Sequence, residues 1–96
     1  MDSYLESLKS LGTRARSLRM LLELQQREVA ARAGTSLGTV IRFERTGKAS
    51  IENVLRIAVA LGAENAFDNL FAPPKYRTLD DALASLPVRQ RIRKRR

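Results

Sequence analysis

The chain lacks the residues on which several kinds of protein chemistry depend. It has no cysteine, which excludes disulfides and thiolate metal sites, and no histidine, the commonest general base and metal ligand. Its ten carboxylates are scattered or accompanied by nearby basic residues, and neither a nucleophile–base pair nor a glycine-rich phosphate loop is present. We therefore expect a protein that is not an enzyme, with no catalytic residue, no metal site and no cofactor.

Long apolar runs are also missing. The sequence contains no stretch of 18 or more apolar residues and no pattern of a secretory signal. We therefore expect a protein of the cytoplasm that does not associate with a membrane. Ninety-six residues suit one small domain with a modest core, which association into a dimer would help to stabilise.

Positive charge is abundant and unevenly distributed. The formal net charge is +8, and residues 89–96 hold six of the 18 basic side chains and none of the ten acidic ones. A basic arm of this kind suits a polyanion such as nucleic acid. A disordered tail that improves solubility would have the same composition, so the charge alone leaves both interpretations open.

Apolar residues recur at helical spacing, and no convincing strand alternation appears. Gly12 is expected to end a short first helix, and Pro73 with Pro74 divides a compact domain of residues 1–72 from an appendage of residues 73–96. The pattern predicts seven helical segments, at about residues 3–10, 13–23, 26–33, 37–45, 51–61, 64–70 and 79–86. In the fifth segment the predicted buried stripe is Val54, Leu55, Ile57, Ala58 and Leu61.

The third and fourth segments form the most informative part of the chain. Apolar residues repeat along the third segment, Gly34 ends it, and Ser36 is placed to cap the next helix. Val40 and Phe43 then mark the inner face of the fourth segment. A helix, a tight turn that contains glycine and a second helix make up the pattern of a helix-turn-helix, in which the second helix reads DNA.

The outward positions of the fourth segment follow from its inner face. Arg42 could pair with guanine through its guanidinium fork, and Leu37 or Ile41 could touch a thymine methyl group. The alternatives are a solvated charge for the arginine, and local packing or a partner interface for the aliphatic residues. Gly38 costs about 1 kcal/mol in a helix, which a close approach of the backbone to DNA could offset. Helix capping alone is sufficient to explain a serine at position 36, and contact with a DNA phosphate would be a second role for this residue.

Residues 11–63 resemble the Xre/Cro-CI helix-turn-helix family of bacterial and phage regulators. The resemblance is carried by Arg19, Leu24 to Ala30, Gly34 to Ser36, Thr39, Val40, Phe43, Glu44, Gly47, Lys48, Ile57, Ala58, Leu61 and Gly62. It implies an all-α fold, a five-helix lambda-repressor-like domain, here with an extra N-terminal helix and a short C-terminal helical appendage. It also implies a transcriptional regulator that binds double-stranded DNA at specific sequences.

The family resemblance also implies roles for individual residues. Arg19 and Glu44 match a pair that forms an internal salt bridge, and Gln26 matches a glutamine that contacts a phosphate. The expected DNA-contacting residues are Gln26, Arg27, Ser36, Leu37, Gly38, Thr39, Ile41, Arg42, Arg45 and Lys48. The chain departs from the family after Glu44, because two residues precede the next glycine where one is common, and the usual proline before the last core helix is missing. We therefore expect a remodelled loop.

The flanks resemble HipB-like regulators, which often act as antitoxins beside HipA-type kinase toxins. This resemblance rests on the extra N-terminal helix, on residues 43–47, on residues 73–82 and on the basic end. It implies a kinase-like toxin as a partner. Because small helix-turn-helix domains usually pair and read two half-sites, we also expect a homodimer on a palindromic operator, nucleoid-associated when bound. The alternatives are a repressor without a toxin, or an antitoxin that acts mainly by binding its toxin. Residues 75–96 and the apolar Phe67, Leu70 and Phe71 are candidates for protein contacts, and for the three apolar residues we favour dimerisation over closure of the core.

Overall fold

The computed structural model describes residues 3–73 together with Leu83. Within these residues the regular structure is helical throughout, which confirms the all-α class. The five helices are α1 (Tyr4–Leu21), α2 (Gln26–Ala33), α3 (Leu37–Thr46), α4 (Ile51–Ala60) and α5 (Asn65–Asp68). The helix predicted at residues 79–86 lies outside the described residues apart from Leu83, which is helical, and so does the basic arm at residues 89–96.

The first helix corrects the prediction at Gly12. Residues 3–10 and 13–23 were expected to form two helices, but α1 runs unbroken from Tyr4 to Leu21, so the extra N-terminal helix is an extension of α1. Gly12 is buried within it. A Cβ atom at Gly12 would overlap the carbonyl oxygen of Phe43 and lie 3.0 Å from that of Glu44. The glycine therefore allows α1 to approach the backbone of α3 closely and does not end a helix.

Serine and glycine set most of the helix boundaries. The hydroxyl oxygens of three serines, Ser3, Ser36 and Ser50, each accept the backbone N–H three residues further on, and so cap α1, α3 and α4. Gly34 and Gly47 end α2 and α3 in the left-handed conformation, with φ of 69° and 77°. As a result α2 has the predicted bounds, and α3 and α4 differ from theirs by one residue at the C-terminal end.

The core lies where α2, α3 and α4 meet, with α1 packed along α3. Its buried residues are Val29, Ala30, Ala33, Val40, Phe43, Val54, Ile57 and Leu61. Leu11, Ala15 and Leu18 of α1 pack against this cluster, and so does Phe67 of α5. Phe67 therefore helps to close the core, which was the less favoured of its two interpretations.

Two predictions in the second half of the domain are wrong in detail. Leu55 was expected in the buried stripe of α4, but it is 41% exposed, because the apolar arc of α4 is wider than the surface that its neighbours cover. The sixth predicted segment, residues 64–70, is a single short helix, Asn65–Asp68. Leu70 lies beyond this helix and Phe71, with a positive φ of 64°, is 96% exposed.

Candidate nucleic-acid interface

The turn between α2 and α3 holds the two helices in a defined relation. Gly34 adopts φ of 69°, and the backbone N–H of Thr35 returns to the carbonyl of Ala30 at 3.0 Å. The Ser36 hydroxyl oxygen then accepts the backbone N–H of Thr39 at 3.0 Å and lies 2.8 Å from the Thr39 hydroxyl. These bonds satisfy free backbone groups at both helix ends, so the orientation of α3 is set locally.

One side of α3 faces solvent along its whole length. Val40 and Phe43 point the other way and are almost completely buried. Leu37 and Ile41 are 44% and 37% exposed, although both are aliphatic. The five outward positions named from the sequence, Leu37, Gly38, Ile41, Arg42 and Arg45, are all exposed. This exposed surface of α3 is called the reading face below.

An open cleft joins the start of α2 to the start of α3. Gln25, Gln26 and Arg27 line it on one side and Leu37 on the other. Free backbone N–H groups and the positive end of the helix dipole make such helix starts suitable for an anion. The fold therefore brings Gln26 and Arg27 beside the N-terminal end of the reading face.

A buried polar network braces the motif from behind. Arg19 Nε donates to Glu44 Oε2 at 2.6 Å, and its Nη2 donates to Oε1 at 3.0 Å. Arg19 Nη1 donates to the carbonyl of Leu24 at 2.8 Å, and the Gln26 side-chain amide donates to Glu44 Oε1 at 3.0 Å. The pair implied by the family resemblance is thus in contact, and it ties α1, α2 and α3 together.

The hydrogen bond from Gln26 to Glu44 was not implied by the family resemblance. Because its amide nitrogen donates one N–H to Glu44, the Gln26 side chain is anchored to the network, and that bond leaves its second amide N–H and its carbonyl oxygen unused. A hydrogen bond of this kind cannot be read from spacing, since the two residues lie on different helices.

Charge on the motif surface is positive. Glu44 is the only acidic residue of α3, and it is buried and paired with Arg19. Within residues 3–73 the ion pairs are Arg19–Glu44 and Arg56–Glu52, so neither uses Arg27, Arg42, Arg45 or Lys48. The four cations, all exposed, give the neighbourhood of the reading face a positive potential.

The remodelled loop after Glu44 has its own hydrogen bonds. The Thr46 hydroxyl donates to the carbonyl of Arg42 at 2.8 Å and accepts the backbone N–H of Lys48 at 3.1 Å. Gly47 then packs against the backbone of Leu8, where no Cβ atom would fit. The additional residue is thus absorbed as a last turn of α3, and Lys48 remains exposed directly after it.

Gln25 also lines the cleft, although it was not among the residues expected there from the sequence. Its backbone N–H donates to the Glu28 carboxylate at 2.7 Å, and its side-chain oxygen accepts from Arg27 Nε at 3.1 Å. Glutamate three residues after the residue that precedes a helix is a capping signal, so the spacing of Gln25 and Glu28 could have identified it.

Two helices joined by a tight turn, the second with an exposed and basic outer face, define a helix-turn-helix DNA-binding module. A family model described as Helix-turn-helix matches residues 16–64 of the 96. The chain belongs to this Xre/Cro-CI-like helix-turn-helix family and is a DNA-binding transcriptional regulator. Searches of the curated proteins and of the solved structures found no match.

The matched residues contain the whole motif. They run from within α1 to the start of α5, and they include Arg19, Glu44 and all ten residues expected to contact DNA. The family is a regulatory DNA-binding family and not an enzyme family. In the part of the chain that the structure describes, none of the helices is long and apolar enough to cross a bilayer.

Proposed function

We propose that the protein is a homodimeric repressor that binds a palindromic operator and places α3 in the major groove of each half-site. The observation that carries this proposal is the reading face, where exposed aliphatic and cationic side chains share one side of a helix. A protein helix of this width fits the major groove of B-DNA, whose base edges distinguish all four base pairs. Two copies would read half-sites about one helical turn apart.

The reading face divides into base-reading and backbone-binding parts. Arg42 pairs with a guanine, and Leu37 and Ile41 contact thymine methyl groups. Gly38 reads no base, but a Cβ atom there would meet only the Ser36 hydroxyl oxygen, 4.0 Å away. Since no residue in the described part of the chain requires glycine at this position, close approach of DNA to the helix backbone is the reason we propose for it.

Phosphates occupy both ends of the reading face in this proposal. At the start of α3, the cleft with Gln26 and Arg27, together with the capping residues Ser36 and Thr39, receives one phosphate. At the other end, Arg45 and Lys48 contact the backbone. These cations lie outside the ion pairs of the described residues, so they are available to replace counterions on DNA.

Exposed apolar surface supports the homodimer. Ile51, Leu55 and Val59 are exposed at four-residue spacing along α4, and Leu70 and Phe71 are exposed after α5. Surface of this kind favours association with a second copy. Sedimentation velocity of the wild type and of Leu55→Glu tests whether the dimer interface lies on α4. We expect the wild type to be a dimer and the variant to dissociate more readily. A dimer of unchanged stability in the variant would place the interface elsewhere.

The more specific part of the proposal is that the protein acts as an antitoxin. The resemblance of residues 73–82 and of the basic end to HipB-like regulators supports an operon in which the protein represses its own promoter and binds a HipA-type kinase toxin in the cytoplasm. A stand-alone repressor and an antitoxin that works mainly through protein binding are the alternatives. Capture of the neighbouring gene product, with and without residues 75–96, separates them: capture that depends on these residues supports the antitoxin.

Fluorescence anisotropy with a labelled duplex from the promoter of its own operon tests the DNA-binding part. We expect Ile41→Ala combined with Arg42→Ala to weaken binding by at least about tenfold, since a bidentate arginine–guanine pair contributes about 1–3 kcal/mol. Arg32→Ala is the matched control, because Arg32 is exposed in the last turn of α2, at the opposite end of that helix from the cleft. Equal affinity of the double variant and the control would contradict the reading face.

A further inference from the structure

The described residues of the domain enclose an apolar groove. It has a volume of about 310 Å³ and lies between α1 and α4, with α5 at one end. Leu11, Ala15 and Leu18 form one wall, and Ala58, Leu61 and Phe67 belong to the other. Among the described residues that line it, Arg14 is the only charged one. This groove is called the α1–α4 groove below.

Residues 79–86 have the sequence of a helix that fits such a groove. Leu79, Ala82, Leu83 and Leu86 stand at positions i, i+3, i+4 and i+7, which places them in one stripe on a helix. Leu83, the one residue here that the structure describes, is helical and half-buried. The stripe is aliphatic, as are most of the walls of the groove, so burial of one against the other removes apolar surface from water on both sides.

Opposite charges on residues 79–86 and on the groove also favour docking of this segment. Asp80 and Asp81, the second and third residues of this stretch, are the only acidic residues of the sequence after Pro73. Arg14 lies at the groove among otherwise apolar residues. An opposite charge beside an arginine at the edge of an apolar site stabilises docking in a way that a basic segment, such as residues 89–96, would not.

The chain is long enough for docking within one molecule. Phe67 already forms part of the groove, and the described chain continues from it to Pro73. Residues 74–78 then add five residues, which span up to about 17 Å when extended. A tether of this length gives the segment an effective concentration in the millimolar range, so that weak apolar contacts suffice to hold it.

We propose that residues 79–86 form an amphipathic helix that docks its leucine stripe into the α1–α4 groove of the same molecule. This goes beyond the proposed function, because it assigns a place to the appendage and does not depend on DNA. It also means that the basic arm at residues 89–96 starts from the body of the domain and not from the end of a free tail.

Thiol protection in the full chain tests this docking, and the absence of native cysteine leaves one reactive thiol in each variant. Ala15→Cys places a thiol in the groove wall, and its reaction rate with an aromatic disulfide reagent reports coverage. Leu83→Asp, added to this variant, is expected to raise the rate by about tenfold or more, since it replaces the half-buried leucine of the stripe with a charge. Ala84→Asp, on the opposite side of the same predicted helix, is the matched control and is expected to leave the rate unchanged.

Equal rates in all three proteins would overturn the proposal. Protection that grows with protein concentration would also overturn it, because a second copy would then cover the groove. If Ala15→Cys does not fold by circular dichroism, Ala63→Cys at the edge of the groove provides the same readout. Neither result depends on DNA binding, so a failure here leaves the repressor proposal to its own test.

Discussion

Replacement of Gly12 by alanine should destabilise the protein, although the same change stabilises most helices. In a helix interior, alanine is favoured over glycine by about 0.8–1.0 kcal/mol. At Gly12, however, the new Cβ would overlap the carbonyl oxygen of Phe43 and lie 3.0 Å from the backbone nitrogen of Gly47. These neighbours are backbone atoms that cannot rotate away, so α1 must move from α3.

The size of the stability change in Gly12→Ala follows from the gain in helix propensity and the cost of the clash. Overpacking of a core costs about 1–3 kcal/mol and occasionally more, and a clash with backbone belongs at the upper end. After the gain in helix propensity, we expect a net loss of about 2 kcal/mol in the free energy of unfolding. For a domain of this size that corresponds to a fall in Tm of roughly 8–16 °C.

Gly38→Ala is the matched control, because Gly38 is also a helical glycine but has open space beside it. We expect it to raise the free energy of unfolding by about 0.5–1 kcal/mol. Urea and thermal unfolding, followed by circular dichroism, measure both variants. A Gly12→Ala protein as stable as Gly38→Ala would refute the close approach of α1 to α3. Gly38→Ala should also bind DNA more weakly despite its greater stability, if DNA approaches the helix backbone there.

Three further outcomes are expected. Glu44→Ala should lower the free energy of unfolding by about 3–5 kcal/mol, because it leaves the largely buried Arg19 guanidinium without its carboxylate partner. In the same urea titration Glu52→Ala, which breaks an exposed pair, should cost less than about 1 kcal/mol. Ser36→Ala should cost about 1 kcal/mol through loss of the α3 cap, and a thermal melt identical to wild type would contradict that role. Lys48→Ala should reduce the salt dependence of DNA binding by about one unit of log–log slope, and an unchanged slope would remove Lys48 from the phosphate contacts.

The sequence predicted the motif well because its boundaries are marked by chemistry that acts locally. Gly34 can take a positive φ and Ser36 can cap a helix regardless of the rest of the fold, so the bounds of α2 and the start of α3 follow from a few residues. The inner and outer sides of α3 follow from its periodicity, since Val40 and Phe43 leave only one direction for the core.

The errors arise where contacts between helices, and not the local sequence, determine the structure. Gly12 gives the same local signal whether it ends a helix or admits a neighbouring backbone, and only the position of α3 distinguishes the two. Leu55 lies on an apolar arc of α4 that periodicity treats as continuous, although the neighbouring helices cover only part of it. The bond from Gln26 to Glu44 joins two helices, and no spacing along the chain predicts it.

The central claim is that the outer face of α3 reads bases, and the ratio of affinities for operator and scrambled duplexes tests it most directly. Ile41→Ala combined with Arg42→Ala should bring the operator affinity down close to the affinity for scrambled DNA, while phosphate contacts keep the latter nearly unchanged. The variant should unfold at nearly the wild-type urea concentration, because both side chains are exposed. A ratio that stays at the wild-type value in this folded variant would contradict the assignment of α3 as the reading helix.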